Sequence, residues 1–529
     1  MRVTIHTVGA EPASVTVSGK ETILDALRQA GIALYAPCGG EGRCGRCGVL
    51  VKDSRGISQR LACQTLVEED TEVFFEGAGS ITIEGADEGG RAAVPAPANV
   101  EGAGCGGFAP GLAGLVGPFG AGIDIGTTTI VFYLVDIGAQ AVVATSGCVN
   151  PQVAFGGDVL SRIQAAQGQE GLDALCSLLR ASIDEGCRAL CLKAGIGRNS
   201  IEQVYIVGNT VMEHFAAGLD PTPIGAAPFK PRSLFGDRRP LFMAEGSEGG
   251  PLEAVFAPAV AGYVGGDITA GLSITDIPES PALQLFIDIG TNGEMALGNA
   301  DRIACCATAA GPAFEGAGIT LGMPAMPGAV HKVAWSEEGF ALQVIGGGRP
   351  VGVCGSGVLD AIACMLDAGI MDETGRILGP EEVGPRFAPC VGKVGGMQAC
   401  LLDPEGRIYI TQGDVREIQL AKAAVRAGIE TLLEAIGAAS QDIACLLLAG
   451  GFGMSIDPSS AARIGLYPPE LASKVRSLGN AAGKGAAAAL MWPGQQERVA
   501  QVARRCEYLE LSTSKAFNGH YIEAMAFEE

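Results

Sequence analysis

Four cysteines near the N-terminus carry the strongest chemical signal in this chain. Residues 36–51 read APCGGEGRCGRCGVLV, which spaces Cys38, Cys44 and Cys47 as C-x5-C-x2-C, and RLACQT adds Cys63 with fifteen residues between it and Cys47. Thiolates hold [2Fe–2S] centres four at a time. Gly39, Gly40, Gly42, Gly45 and Gly48 between and beside them would let the backbone wrap an inorganic core, because glycine tolerates positive φ. C-x2-C also suits a tetrahedral zinc ion, so the pattern alone leaves that alternative open.

A second signal is repeated. GIDIGTTT contains Asp124, Gly126, Thr127 and Thr128, and FIDIGTNG contains Asp288, Gly290, Thr291 and Asn292. The aspartates stand 164 positions apart (288 minus 124), and each copy has apolar runs on either side. A carboxylate at a strand end, a turn without a side chain and a hydroxyl are the parts of a phosphate site. Backbone N–H groups near Gly126 and Gly290 can hold phosphate oxygens. Asp124 and Asp288 suit magnesium held through water, since Mg²⁺ dehydrates reluctantly. LLLAGGFG, with Gly450, Gly451 and Gly453, reads as a buried strand entering a glycine turn, and GNAAGKGAAAAL as a helix of small residues. A nucleotide is the expected ligand, with Asp267 of GYVGGD as a candidate acid or base.

The elements that must position these residues are legible more coarsely. At 529 residues the chain is long enough for several domains. A formal charge of -22 argues against nucleic acid and anionic membrane surfaces as partners. The 79 glycines are roughly twice the usual share of about 7%, as in nucleotide-binding α/β proteins. The 17 cysteines are odd in number and scattered, and no basic stretch followed by an apolar one opens the chain. A cytoplasmic protein without a membrane span is therefore expected, and the thirteen other cysteines read as small buried hydrophobes.

Val3–His6 and Ser14–Val17 alternate like a hairpin, Thr22 caps a helix that Gly31 closes, and Val49–Val51 and Glu72–Phe75 supply strands. Residues 1–84 thus suit a β-grasp, ferredoxin-like domain. Residues 85–120 are dense in Gly, Ala and Pro and read as a flexible linker, with a root-mean-square span on the order of 30–36 Å. Beyond it, apolar strands alternate with long helical patterns such as Val415–Leu433, an α/β signature. The expected division is a middle domain, 121–200, that opens the first of two similar halves, and a C-terminal ATPase domain, 201–529.

The cysteine loop resembles ferredoxin-type [2Fe–2S] domains, departing from the plant-type spacing by one residue in the first gap. The glycine turns, in their order, resemble the acetate and sugar kinase, heat-shock chaperone and actin superfamily. In that superfamily two such turns clamp the phosphates, the later glycine turn meets the adenosine and a cleft closes on ATP. The joint pattern resembles the ATP-dependent reductive activators of corrinoid proteins. It rests on the cysteine loop together with NPQVAFGGDVLSRI (150–163), GNTVMEHF (208–215), DIGTNGE (288–294), AGPAFEGAGI (310–319), VCGSGVLDAI (353–362) and LAGGFG (448–453). That resemblance implies one-electron reduction of an inactive Co(II) corrinoid to Co(I). The partner would be a corrinoid protein of a methyltransferase or O-demethylase system, the electrons would come from an external low-potential donor, and two chains would pair as a homodimer. Rival readings are a phosphotransferase with a redox-sensing domain, an activator of radical dehydratases and an ATP-switched adaptor. Histidine chemistry is not expected: His6, His214, His331 and His520 are the only ones and are not spaced as ligands.

Overall fold

The computed structural model describes residues 1–7, 12–30, 32, 34, 47–54, 56–75, 116–241, 252–336 and 339–528. Cys38, Cys44, the glycines between them, Gly31 and residues 85–115 of the expected linker lie outside the described residues.

The N-terminal domain is a five-stranded mixed sheet with one helix. Its elements are β1 (Arg2–Thr7), β2 (Ala13–Thr16), α1 (Ile23–Gln29), β3 (Gly48–Asp53), β4 (Gly56–Leu61) and β5 (Thr71–Phe75). The strand order is β2-β1-β5-β3-β4, and the central pair β1–β5 is parallel. Alternation sends Val3, Ile5, Val49, Val51 and Val73 to one face, where Ile23, Leu24 and Leu27 of α1 cover them. The helix starts where it does because the Thr22 hydroxyl accepts from Asp25 N at 3.2 Å and the Asp25 carboxylate accepts from Thr22 N at 2.9 Å, a reciprocal cap.

The remaining chain contains two sheets built to one plan. The first uses β6 (Phe119–Ile125), β7 (Thr129–Asp136), β8 (Ala141–Val149), β9 (Ile201–Gly208), β10 (Arg238–Leu241) and β11 (Leu252–Phe256). Its helices are α2 (Val159–Ala165), α3 (Gln169–Ala194) and α4 (Thr210–Ala217). After α5 (Gly266–Ser273) the second sheet begins with β12 (Gln284–Ile289), β13 (Gly293–Gly298) and β14 (Ile303–Thr308). Two small sheets are inserted, β15 (Ala329–Ser336) with β16 (Gly339–Val344) and β17 (Gly352–Val353), then β18 (Val391–Val394) with β19 (Met397–Leu401) and β20 (Tyr409–Thr411). Helices α6 (Gly355–Asp367) and α7 (Gln412–Ile436) lead to β21 (Cys445–Ala449), the short α8 (Gly450–Gly453), β22 (Val475–Gly479) and β23 (Cys506–Tyr508).

The strand orders are β10-β11-β9-β6-β7-β8 and β22-β21-β12-β13-β14-β23. In each, a strand ending in D-I opens an antiparallel meander of three and pairs in parallel on its other edge with a later strand, which itself has a parallel neighbour. The internal repeat is thus a repeated topology. The expected boundary at 200/201 needs correction, because β9 starts at Ile201 and lies in register beside β6, with Asp124 opposite Val207. A cut there would leave β6 without its parallel neighbour.

The chain forms two compact units. One gathers the described residues up to Asp267 together with Ala486–Gln496, and the other gathers Ile268–Gly485 and 497–528. Small residues permit close approach within each. In the first, a Cβ on Gly122 would stand 3.1 Å from Ala487 N. In the second, a Cβ on Gly485 would stand 2.4 Å from Ala270 O and 2.6 Å from its carbonyl carbon.

Gly485→Ala therefore sets two effects against each other. Helix propensity favours alanine by about 1 kcal/mol, while overpacking against backbone atoms costs about 1–3 kcal/mol. The expected outcome is a net loss, seen as a lowered Tm in thermal unfolding. A Tm at or above that of the unsubstituted chain would show that the helices separate freely.

Candidate cluster and nucleotide sites

Cys47 opens β3 and is fully buried, and Cys63 follows β4. Their Sγ atoms lie 3.2 Å apart, and the Cys63 N–H donates to Cys47 Sγ at 3.4 Å. The Ala62 N–H donates to Cys47 O at 2.8 Å, which fixes the two segments side by side. Two of the four expected ligands thus converge, with an amide–sulfur hydrogen bond of the kind that tunes cluster potentials. These residues fit a cluster. Arg28, the basic residue in the last turn of α1, lies within electrostatic reach of Cys63. Its Nε donates to Ala154 O at 2.6 Å, and its guanidinium stands 5.4 Å from the Phe155 ring centroid. The cluster domain is held on the NPQVAF segment through this side chain. Elsewhere burial decides cysteine chemistry: Cys305 and Cys306 are fully buried, and burial pushes the Cys187 thiol up to about 12.

The first phosphate turn follows β6. The Gly126 N–H donates to Thr129 O at 2.9 Å, and a Cβ on Gly126 would stand 2.7 Å from that same oxygen. Only glycine fits. Three side chains from flanking motifs hold the turn. Asn150 Nδ2 donates to Gly126 O at 2.9 Å, and Asn150 N donates to Thr128 O at 2.9 Å. Arg162, fully buried, donates to Thr127 O and to Gly156 O. Asn209, the N-cap of α4, donates to Thr127 Oγ1 at 3.1 Å. The loop carrying Asp267 packs on the same place: a Cβ on Gly265 would stand 2.4 Å from Gly208 O and 2.6 Å from Asn209 Cα. Asp267 itself is half-buried in the first turn of α5.

The second turn follows β12. The Gly290 N–H donates to Asn292 O at 2.9 Å, and Thr291 Oγ1 meets both carboxylate oxygens of Glu315 at 3.4 Å. Asp288 pairs with Ala449 at the end of β21, so the GGFG turn begins beside it. Gly450 has φ +84°, and a Cβ there would stand 2.7 Å from Asp288 Oδ1. Gly451 faces open space. Asn150, Arg162, Asn209 and Glu315 are turn-holding residues that motif reading quoted without assigning a role. A fully buried arginine and polar residues next to glycine runs are the signal that marks them. Among the described residues no group of three or more His, Cys, Asp or Glu converges as a metal site.

Comparison with known proteins places these parts in one family. The corrinoid activation enzyme RamQ of Eubacterium limosum is 32% identical, with 96% of each chain covered. The chain belongs to the RACo family, the reductive activators of corrinoid proteins. Its residues 7–68 match the 2Fe-2S iron-sulfur cluster binding domain, 119–280 the RACo middle region, and 282–529 the C-terminal domain of RACo, the ASKHA domain. The solved structure of a reductive activator for corrinoid, iron-sulfur protein shares 30% identity with this RACo member, with a TM-score of 0.68 and 99% and 98% of the two chains covered. The [Co(II) methylated amine-specific corrinoid protein] reductase of Methanosarcina barkeri is 26% identical over 77% of each chain. The RACo matches decide the alternative that the cysteine spacing left open, since the N-terminal domain is of the 2Fe–2S type and not a zinc module. They also move the middle-region boundary to 280, in keeping with the continuous first sheet. No helix among the described residues is long and apolar enough to cross a membrane.

Behind the first turn, α4 holds a fully buried histidine. His214 Nδ1 donates to Thr210 O at 2.6 Å, and Nε2 accepts from Arg232 N at 3.2 Å. A proton on Nε2 would face another donor, and burial pushes the pKa down from 6.5 to about 4. The unfolded imidazole takes its proton near 6.5 while the folded one resists, so this contribution to stability is complete above pH 6.5. It declines as pH falls towards 4, by about 3 kcal/mol in all. Urea unfolding at pH 7 and pH 4.5 should show a smaller loss of midpoint in His214→Asn than in the unsubstituted chain. Equal losses would mean that His214 is protonated in the folded state.

Proposed function

We propose that this chain is an ATP-dependent reductive activase that returns the inactive Co(II) corrinoid of a methyl-carrying corrinoid protein to Co(I). The carrying observation is the full-length likeness to corrinoid activators, with a cluster-binding domain and an ASKHA domain in one polypeptide. The balance is one electron per cobalt, supplied by an external low-potential donor. When bound, a [2Fe–2S] centre supplies single-electron transfer. Cys38, Cys44, Cys47 and Cys63 are its proposed ligands.

Co(II) reduction is uphill for an ordinary iron–sulfur donor. ATP can change that only if nucleotide state alters affinity for one form of the partner. Gly126, Thr127 and Thr128 with Gly290, Thr291 and Asn292 are the proposed phosphate contacts, Asp124 and Asp288 the proposed holders of Mg²⁺ through water, and Gly450, Gly451 and Gly453 the proposed nucleoside contacts. Asp267 is the proposed acid or base. ATP turnover then biases docking of the corrinoid protein and loss of an axial cobalt ligand, which makes Co(II) easier to reduce. The Gly-, Ala- and Pro-rich stretch, expected over 85–120 but giving way to β6 at Phe119, is proposed to let the cluster domain travel, and the Arg28 contact with Ala154 must break for it to do so. The C-terminal domain is proposed to pair two chains, and the cytoplasm is the proposed compartment.

The direct test reconstitutes the chain, adds a Co(II) corrinoid protein, reductant and Mg-ATP, and follows Co(I) absorbance. Reduction that requires ATP is expected; full-rate reduction without ATP, or none with it, would reject the reading. Shortening 85–120 by half should slow cobalt reduction at least severalfold and leave ATP turnover intact. Unchanged reduction would remove the travelling step.

A further inference from the structure

Glu213 is the one carboxyl-bearing residue of α4, and it has no place in the roles assigned so far. It is fully buried, and neither carboxyl oxygen has a hydrogen-bond partner of ordinary geometry. A Cβ on Gly266 would stand 2.5 Å from Glu213 Oε1. Gly266 is the residue before Asp267, so a buried carboxyl lies against the backbone that leads into the half-buried aspartate at the start of α5. The charged and titratable groups that face Glu213 are Asp267 of α5, Arg239 of β10 and Tyr205 of β9, with the Gly266 N–H as the nearby backbone dipole. Arg239 is already engaged by Asp237 at 2.9 Å and by Ser233.

An ionised carboxylate so placed would be uncompensated, and in practice such a group neutralises. A second carboxylate beside it disfavours double ionisation further. Burial first and Asp267 second hold the Glu213 carboxyl well above the usual carboxylate range. A neutral carboxyl is a donor as well as an acceptor.

We propose that Glu213 is a positioning residue for Asp267: it remains a carboxylic acid at neutral pH, and its O–H is directed at the Asp267 carboxylate, fixing that side chain in one orientation. Loss of this proton at alkaline pH sets two carboxylates against each other and disorders Asp267. The same α4 carries Asn209, the cap that holds Thr127, so the helix braces both the phosphate turn and the aspartate. The consequence for ATP turnover rests on the assignment of Asp267 above, whereas the proton-sharing pair does not.

Difference infrared spectroscopy on the full chain reads the pair directly. A protonated-carboxyl C=O band is expected at neutral pH, lost in Glu213→Gln and shifted in frequency in Asp267→Asn. Absence of the band, or indifference of the band to Asp267→Asn, overturns the proposal. The alkaline limb of the ATP turnover profile should move up by about one pH unit or more in Glu213→Gln, because an amide cannot ionise in this range. An alkaline limb that stays in place while the band responds as described removes the assignment of Asp267 and leaves the carboxyl pair standing. A chain that turns over no ATP at any pH, while the band responds as described, removes the assignment of Asp267 and leaves the carboxyl pair standing.

Discussion

The two D-I-G-T turns depend on backbone meeting backbone at distances no side chain allows. Gly126 closes on the Thr129 carbonyl, and Gly450 closes on the Ile289 carbonyl, each with less than 3 Å for a Cβ. Everything around the turns serves to hold that strained proximity. The parallel neighbours β9 and β21 fix the strand ends, and their own following turns, GNT and GGFG, supply the next layer.

The two halves share a topology but not a means of support. The first turn is held by amides and a guanidinium, with Asn150 and Arg162 on backbone oxygens and Asn209 on the Thr127 hydroxyl. The second is held by a carboxylate near a hydroxyl, Glu315 at Thr291, and by a glycine packed on Asp288. In the first unit a fully buried arginine, histidine and glutamate all lie within α2 and α4. Buried polar groups carry large penalties unless satisfied, so that region has little tolerance for rearrangement.

The N-terminal domain follows a different logic. Its core is small, and it brings together two cysteines, Cys47 just before β3 and Cys63 after β4. The convergence of Cys47 and Cys63 needs only that the two segments lie side by side, which the Ala62–Cys47 backbone bond achieves. Arg28 adds an electrostatic link between the cysteine region and the first actin-like sheet's flanking segment. A single guanidinium over one aromatic ring is a weak and breakable fastening, suited to a domain proposed to move.

The 2Fe–2S type of the N-terminal domain, the repeated turns and the capped helix at Thr22 were legible from residue type and spacing, because each rests on local rules: thiol ligation, glycine at forced backbone geometry and side-chain capping. The strand Cys445–Ala449 was legible for the same reason, as an unbroken apolar run. Where the first half ends was not, since membership of β9 through β11 in its sheet depends on pairing across some eighty residues of intervening helix and loop. The roles of Asn150, Arg162, Asn209, Glu315 and Glu213 were likewise decided only by tertiary structure. A polar side chain's partner is set by which segments fold against it, and spacing along the chain carries no record of that distance.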